Sequence, residues 1–355
     1  MKKSIKILLI TIIIIGLFIV FVFWDCLFGN EKLQLSENQK ELLPVKQKEI
    51  FENDNISTFP SRLNSKKNEI MDASGKAILL KGLMAPDPQK LDYEDNFNQA
   101  FYQKIFKAGG NAIRVPVHPD RWVNDKYYLW RYLDPIVSWA GENNNYAIID
   151  LHYIGNIATG VGDEMPDIDE IPKDLTLNFW KQIANYFKDV PNVIFEIYNE
   201  PALITSKEWF KCAAEIVATI RKTGAEQLII IGGIDYSYNL SWVKDSPIND
   251  NNIAYATHVY PSKNNWDYNF GDIAKKYPVI VTEWGFMDEN RYSTKQKYLV
   301  GNVKFFGEPF LEYLEGKNIG WIACWYDDGW EPPMFTKNFK DTSNYGKFVF
   351  DKLQD

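Results

Sequence analysis

The stretch Val193-Ile194-Phe195-Glu196-Ile197-Tyr198-Asn199-Glu200-Pro201 decides the fold. An apolar, strand-forming run ends on a carboxylate and is stopped by a proline. Desolvation opposes the charge of a carboxylate at the end of a buried strand. A catalytic acid with a raised pKa is one of the few roles that reward such a placement. The run Val279-Ile280-Val281-Thr282 passes into Glu283-Trp284-Gly285 in the same way. Two strand-terminal glutamates suggest a carboxylate pair, and carboxylate pairs cleave glycosidic bonds.

Outward from these two runs, apolar strand-like segments recur. They are Leu79–Met84, Ala112–Val117, Ala147–Leu151, Val193–Tyr198, Leu228–Ile231, Ile253–Thr257, Val279–Thr282 and Gly320–Cys324. Helical candidates lie between them at Asn96–Ala108, Tyr128–Glu142, Leu175–Lys188, Lys207–Lys222 and Thr294–Glu315. Ahead of the first strand, Glu69–Met71 and Ala77–Leu80 flank Asp72-Ala73-Ser74-Gly75, a hairpin signal. Strands that are apolar throughout, rather than alternating, imply a parallel sheet covered by helices. Eight such strands predict an α/β protein built as a (β/α)8 TIM barrel over residues 63–355. A doubly wound sheet is the alternative, but no GxGxxG opens a helix.

Barrel chemistry gathers where strands end and loops begin. The second strand ends at Arg114-Val115-Pro116-Val117-His118 and the third at Asp150-Leu151-His152-Tyr153. The sixth ends at His258-Val259-Tyr260 and the eighth at Trp325-Tyr326-Asp327. All three histidines of the chain fall at such positions. A His-rich metal site would need HxH or HExxH spacing, which is absent, so no metal and no cofactor are expected. Glu196 shares strand parity with Glu200, lies deeper, and reads as a hydrogen-bonded core residue.

This constellation resembles the cellulase-type glycoside hydrolases of family 5, retaining enzymes on a (β/α)8 barrel. The resemblance runs from about Glu69 to the C-terminus. Arg114, His152, Asn199, Glu200, His258, Tyr260, Glu283 and Trp325 each match a position that recurs in that family. It implies Glu200 as acid/base and Glu283 as nucleophile, with Arg114, His152, Asn199, His258 and Tyr260 in support. It implies sugar contacts from Trp325, and His118 recurs in some members. Trp284, Trp266 and Tyr153 are further candidates for sugar contacts, although each also reads as packing; Trp122 and Trp330 are open in the same way. The first strand, Lys81-Gly82-Leu83-Met84-Ala85, lacks the usual Gly-x-Asn or nearby aromatic. The expected partner is a β-linked polysaccharide cut by endo action, most simply by an endo-β-1,4-glucanase. A β-mannanase, a β-1,3-glucanase or another β-glycosidase of the same family is the alternative. From a different class, a non-catalytic cell-surface glycan-binding protein also remains open.

Composition agrees with this class. A net charge of −8 argues against nucleic-acid binding. Aromatic residues make up 15%, with 12 Trp and 20 Tyr, which suits ring stacking on sugars and also large cores. Cys26, Cys212 and Cys324 form no framework or metal motif. At the N-terminus, Lys2, Lys3 and Lys6 precede an apolar stretch, Ile7 to Trp24, long enough to span a bilayer. Residues 1–29 therefore read as a signal anchor and residues 30–62 as a polar linker. The lysines stay cytoplasmic, which places the catalytic domain outside a cell membrane. Secretion after signal cleavage is the alternative. The acidic loop Asp163 to Glu170 lacks EF-hand spacing and reads as solvated rather than calcium-binding. A monomer is expected.

Overall fold

The computed structural model describes residues 58–162, 171–288 and 296–354. The expected membrane segment, the linker up to residue 57 and the acidic loop 163–170 lie outside the described residues. Among the described residues, no helix is long and apolar enough to cross a membrane.

Eight strands close into a barrel in sequence order. They are β1 Lys81–Met84, β2 Ala112–Val117, β3 Tyr146–Leu151, β4 Val193–Glu196, β5 Ile229–Gly232, β6 Ile253–Val259, β7 Val279–Trp284 and β8 Gly320–Ala323. Every pairing around the barrel is parallel, including the closing pair β8 with β1. All eight expected strands are present, and β6 and β7 run two residues further than their apolar runs because His258, Val259, Glu283 and Trp284 continue the ladder.

Alternate residues point into the barrel. Ile148, Ile194, Ile230, Ala254, Ala256, Ile280 and Ile322 fill its lower part with branched or small apolar groups. Below them, Leu63 and Ile70 plug the base from a hairpin, Asn64–Lys66 paired antiparallel with Glu69–Met71. The turn expected at Asp72–Gly75 also forms, closed by the Gly75 N–H donating to Asp72 O at 3.0 Å. Residues 58–62, assigned to the linker, include Phe59, which is buried against Gly141.

Two long helices are tied to backbone at the C-terminal ends of β4 and β5. In Pro172–Phe187, the Trp180 indole donates to Ile197 O at 2.8 Å. In Ser206–Lys222, which opens on a Thr205/Glu208 capping box, the Trp209 indole donates to Gly232 O at 2.8 Å. Each bond pins a helix to backbone at the top of a strand, where an unpaired carbonyl would be costly.

The helix expected over Thr294–Glu315 is broken. Among its described residues, the helix proper covers only Glu308–Glu315, after a single wider turn at Val303–Gly307. Val300 instead bridges to Met287, and the Gly301 N–H donates to Met287 O at 2.9 Å. Asn302, extended at φ −148°, caps the new start through Phe305 N–H. Tertiary pairing with the loop after β7 overrode local helix propensity. The Tyr128–Glu142 candidate likewise divides into a wide turn, Leu129–Leu133, and a helix, Asp134–Glu142.

The close approach of β1 to β2 gives a direct test. A Cβ added at Gly82 would stand 1.8 Å from Ala112 O, a backbone atom that cannot swing away. Gly82→Ala is expected to destabilise the domain by at least about 1–3 kcal/mol. A thermal melt with an unchanged midpoint would contradict this packing.

Candidate active site

The polar layer starts one step above the apolar filling. Arg114 on β2 is fully buried and spends every arm of its guanidinium. Its Nε donates to Glu196 at 2.7 Å and its Nη1 to Glu283 at 2.9 Å. Its Nη2 donates to Asn199 at 2.8 Å and lies 3.1 Å from Asp150. The rigid fork of arginine suits it to this many planar acceptors.

Glu283 also accepts a hydrogen bond from the Tyr260 hydroxyl. Burial works against its charge, but His258, Arg114 and His152 together with the Tyr260 bond outweigh that effect. They hold its carboxyl below the usual glutamate range. Glu200 is placed differently. Burial pushes its carboxyl up, helped by the nearby Glu283, and the His258 contacts offset only part of this rise. His258 Nδ1 lies 2.8 Å from Glu200 Oε1. One ligand atom each from Glu200, His258 and Glu283 fall within 4.8 Å of one another. Two carboxyls with opposite pKa shifts, this close, can divide acid and nucleophile roles between them.

Four groups complete the floor. Burial opposes the charge of Glu196, yet Arg114 and His258 hold its carboxyl down at about 2. Burial also opposes the charge of His258, but Glu283, Glu196 and Glu200 raise its pKa to about 9. Asp150 accepts at 2.7 Å from His152 Nδ1 or donates to it, and burial pushes its carboxyl well up. His152 is driven well below the usual histidine range by burial and by the neighbouring His118 and Arg114. Asp150 and Glu200 are thus pushed up, whereas Glu196 and Glu283 are held down by the neighbouring Arg114 and His258.

Above this floor lies a cleft of about 960 Å³. His152, Asn199, Glu200, His258, Tyr260, Glu283 and Trp325 all line it. Arg114 holds Glu283 from beneath. His118 stands one ring behind, 4.7 Å from the His152 ring and 5.2 Å from that of Trp330, with its Nδ1 3.0 Å from Asp87.

Three expected sugar contacts are corrected. Trp284 is fully buried on the outer side of the barrel, among Phe310, Trp321 and Tyr345. It follows Glu283 directly, so strand alternation sends it outward. Tyr153 follows His152 and is likewise buried, stacked on Tyr198 with centroids 5.5 Å apart. Trp266 packs on Phe310 and Tyr313 and is not part of the cleft wall. Trp122 packs edge-on against Phe179.

The cleft wall instead takes Tyr236, Tyr298 and Trp330, with Lys263 and Gln296. Trp330 meets Trp325 edge-on at 4.8 Å and lies near Lys90 and Arg121. Tyr236 sits in a run of three left-handed residues, Asp235, Tyr236 and Ser237 (φ 59°, 58° and 55°). The run is tied down by the Ser237 hydroxyl on Asn199 O and by the Tyr236 N–H donating to Pro201 O. Non-glycine residues pay for that conformation, which marks ligand-facing turns. Local sequence carries no signal for it.

Comparison with known proteins agrees with this geometry. The family model for cellulase (glycosyl hydrolase family 5) matches residues 71–328. The chain belongs to glycosyl hydrolase family 5. Within family 5, it is 26% identical over 275 residues to an endoglucanase from Clostridium saccharobutylicum, covering 75% of this chain and 57% of that protein. It is 27% identical over 272 residues to cellulase CelDZ1 from Thermoanaerobacterium sp, covering 71% of this chain and 66% of that one. The chain thus spans little more than half to two thirds of these relatives' own lengths. Among solved structures, the β-glucanase SdGluc5_26A from Saccharophagus degradans in complex with cellotetraose superposes with a TM-score of 0.79. It shares 25% identity and covers 84% of this chain and 95% of its own. The catalytic domain of Thermobifida fusca endoglucanase Cel5A has the same fold, with a TM-score of 0.70 at 18% identity.

The raised His258 pKa has a stability consequence. A histidine whose folded pKa lies above its unfolded value stabilises the fold fully below about pH 6.5. That contribution is lost as pH rises through about 9. The melting midpoint is therefore expected to fall across this window in the native domain and to fall less in a His258→Gln variant. Parallel curves for the two proteins would contradict a charged His258.

Proposed function

We propose that this protein is a retaining, endo-acting β-glycosidase that cleaves a β-linked glucan, most simply as an endo-β-1,4-glucanase. The observation that carries the reading is the pair Glu200 and Glu283, close together with pKa values moved in opposite directions. Glu283, held ionised by Arg114 and Tyr260, attacks the anomeric carbon. Glu200, held protonated by burial, gives its proton to the departing oxygen. Esterification of Glu283 removes its negative charge, so the Glu200 carboxyl falls and can take a proton from the incoming water. The two displacements come from opposite faces of the anomeric carbon, each inverting it, and together they return the original configuration. Asn199 is placed for the sugar 2-hydroxyl, and Trp325 forms the wall beside the cleavage point. The open cleft with Tyr236, Tyr298 and Trp330 along it supports cutting within a chain, and the β-glucanase bound to cellotetraose supports a glucan.

We also assign the N-terminal lysines and the Ile7–Trp24 stretch to a membrane anchor, with the enzyme domain on the extracytoplasmic side. Membrane fractionation of the full chain and of a chain lacking residues 1–29 tests this. Equal recovery of both in the soluble fraction would remove the anchor.

Glu283→Gln is expected to abolish hydrolysis of soluble β-glucan, and Glu200→Gln to lower it by about 10²–10⁴. Full activity in either variant, measured as reducing ends released, would overturn the assignment. The rate profile is expected to be bell-shaped. Its acid limb reports Glu283, displaced below the usual glutamate range, and its alkaline limb reports Glu200, displaced above it. Activity on mannan with none on cellulosic substrates would keep the mechanism and replace the sugar, and activity on laminarin alone would replace the linkage.

A further inference from the structure

Beneath the cleft, a continuous hydrogen-bonded chain joins the two reacting carboxyls. It runs from Glu200 to His258 Nδ1 at 2.8 Å, and from His258 Nε2 to the Thr282 hydroxyl at 3.2 Å. It continues from Thr282 to Glu196 Oε1 at 2.7 Å, from Glu196 Oε2 to Arg114 Nε at 2.7 Å, and from Arg114 Nη1 to Glu283 at 2.9 Å. Glu196 and Thr282 are both fully buried and neither lines the cleft. We propose that they are positioning residues that hold His258 doubly protonated, so that Glu200 keeps its transferable proton on the oxygen facing the substrate.

Counting protons gives the argument. Glu196, paired with Arg114, can only accept. The single Thr282 proton therefore goes to Glu196, and the Thr282 oxygen must accept from His258. Nε2 of His258 consequently carries a hydrogen. If Nδ1 carries one as well, Glu200 Oε1 is an acceptor, and the acid proton sits on Oε2. If Nδ1 is bare, the Glu200 proton is drawn to Oε1 and points at the imidazole instead of the glycosidic oxygen. The doubly protonated ring also stabilises the carboxylate left after the proton is given up. Other ionisable groups act on the same ring: Glu200 and Glu196 from the β4 side, Glu283 from β7, and Asp150 and His152 from the β3 side.

The inference rests on Glu200 acting as the acid, and the test separates the two claims. Thr282→Val keeps the shape and removes the hydroxyl, whereas Thr282→Ser keeps the hydroxyl. Each is assayed as kcat/KM, which reads the first displacement, on a soluble β-glucan, whose sugar leaving group needs a proton, and on dinitrophenyl β-cellobioside, whose leaving group does not. Thr282→Val is expected to lose roughly ten- to a hundredfold on the glucan, part of the about 10²–10⁴ that acid catalysis supplies, with little change on the aryl substrate. Losing a cationic neighbour raises a carboxyl, so the alkaline limb of its pH profile is expected to move up. Thr282→Ser is expected to behave as the native protein. Equal losses on both substrates, an unmoved alkaline limb, or a Ser variant as impaired as the Val variant would overturn the proposal. If Thr282→Val does not fold, Thr282→Ala is read by the same criteria. Glu200→Gln is run alongside. If it keeps full glucan activity, the acid assignment itself falls and this inference with it. If it loses kcat/KM on the glucan but keeps it on the aryl substrate, while Thr282→Val matches the native protein on both, only the Thr282 and Glu196 role falls.

Discussion

Everything in the site depends on burying one guanidinium. Arg114 is fully enclosed and reaches Glu196, Glu283, Asp150 and Asn199 at once. A buried charge is tolerable only when paired and hydrogen-bonded, and removing one partner strands the other. The arginine therefore forces carboxyls to gather around it, and those carboxyls come from β3, β4 and β7. The strands could not shift register independently without breaking this polar layer.

A second consequence is electrical. Several ionisable groups share a small dry volume, so they cannot all ionise. Burial pushes the Asp150 and Glu200 carboxyls up, whereas Arg114 and His258 hold those of Glu196 and Glu283 down. The asymmetry between Glu200 and Glu283 is thus a property of the whole layer. Glu283 faces the cationic arginine and a tyrosine hydroxyl, whereas Glu200 faces burial and the charge of Glu283.

The parallel barrel was legible because buried parallel strands are apolar on both faces and stop at polar residues. Eight of the cleft and floor residues were legible for the same reason: seven, from His152 to Trp325, stand at or just past a strand end, and Arg114 lies inside β2 beneath them. Glu196 read correctly as a hydrogen-bonded core residue, but its link through Thr282 to His258 did not show, since it spans β4, β7 and β6. Trp284 and Tyr153 misled because they adjoin inward-facing residues, and alternation turns them away. Tyr236 and Trp330 were hidden or undecided, since their orientation comes from strained or cross-braced loops rather than from local pattern. The break in Thr294–Glu315 came from strand-like pairing of Val300 with Met287, a contact no helical periodicity reveals.

By itself, the sequence determined the number and order of strands and the candidate carboxyl pair. Those features follow from side-chain period and from the cost of burying polar groups, both of which are local. Only the tertiary structure decided which aromatic rings face the cleft, which carboxyl is pushed up and which held down, and how Glu196 and Thr282 connect Glu200 with Glu283. These depend on distances of a few ångströms between strands far apart in the chain, and electrostatic energy in a dry interior is set by those distances.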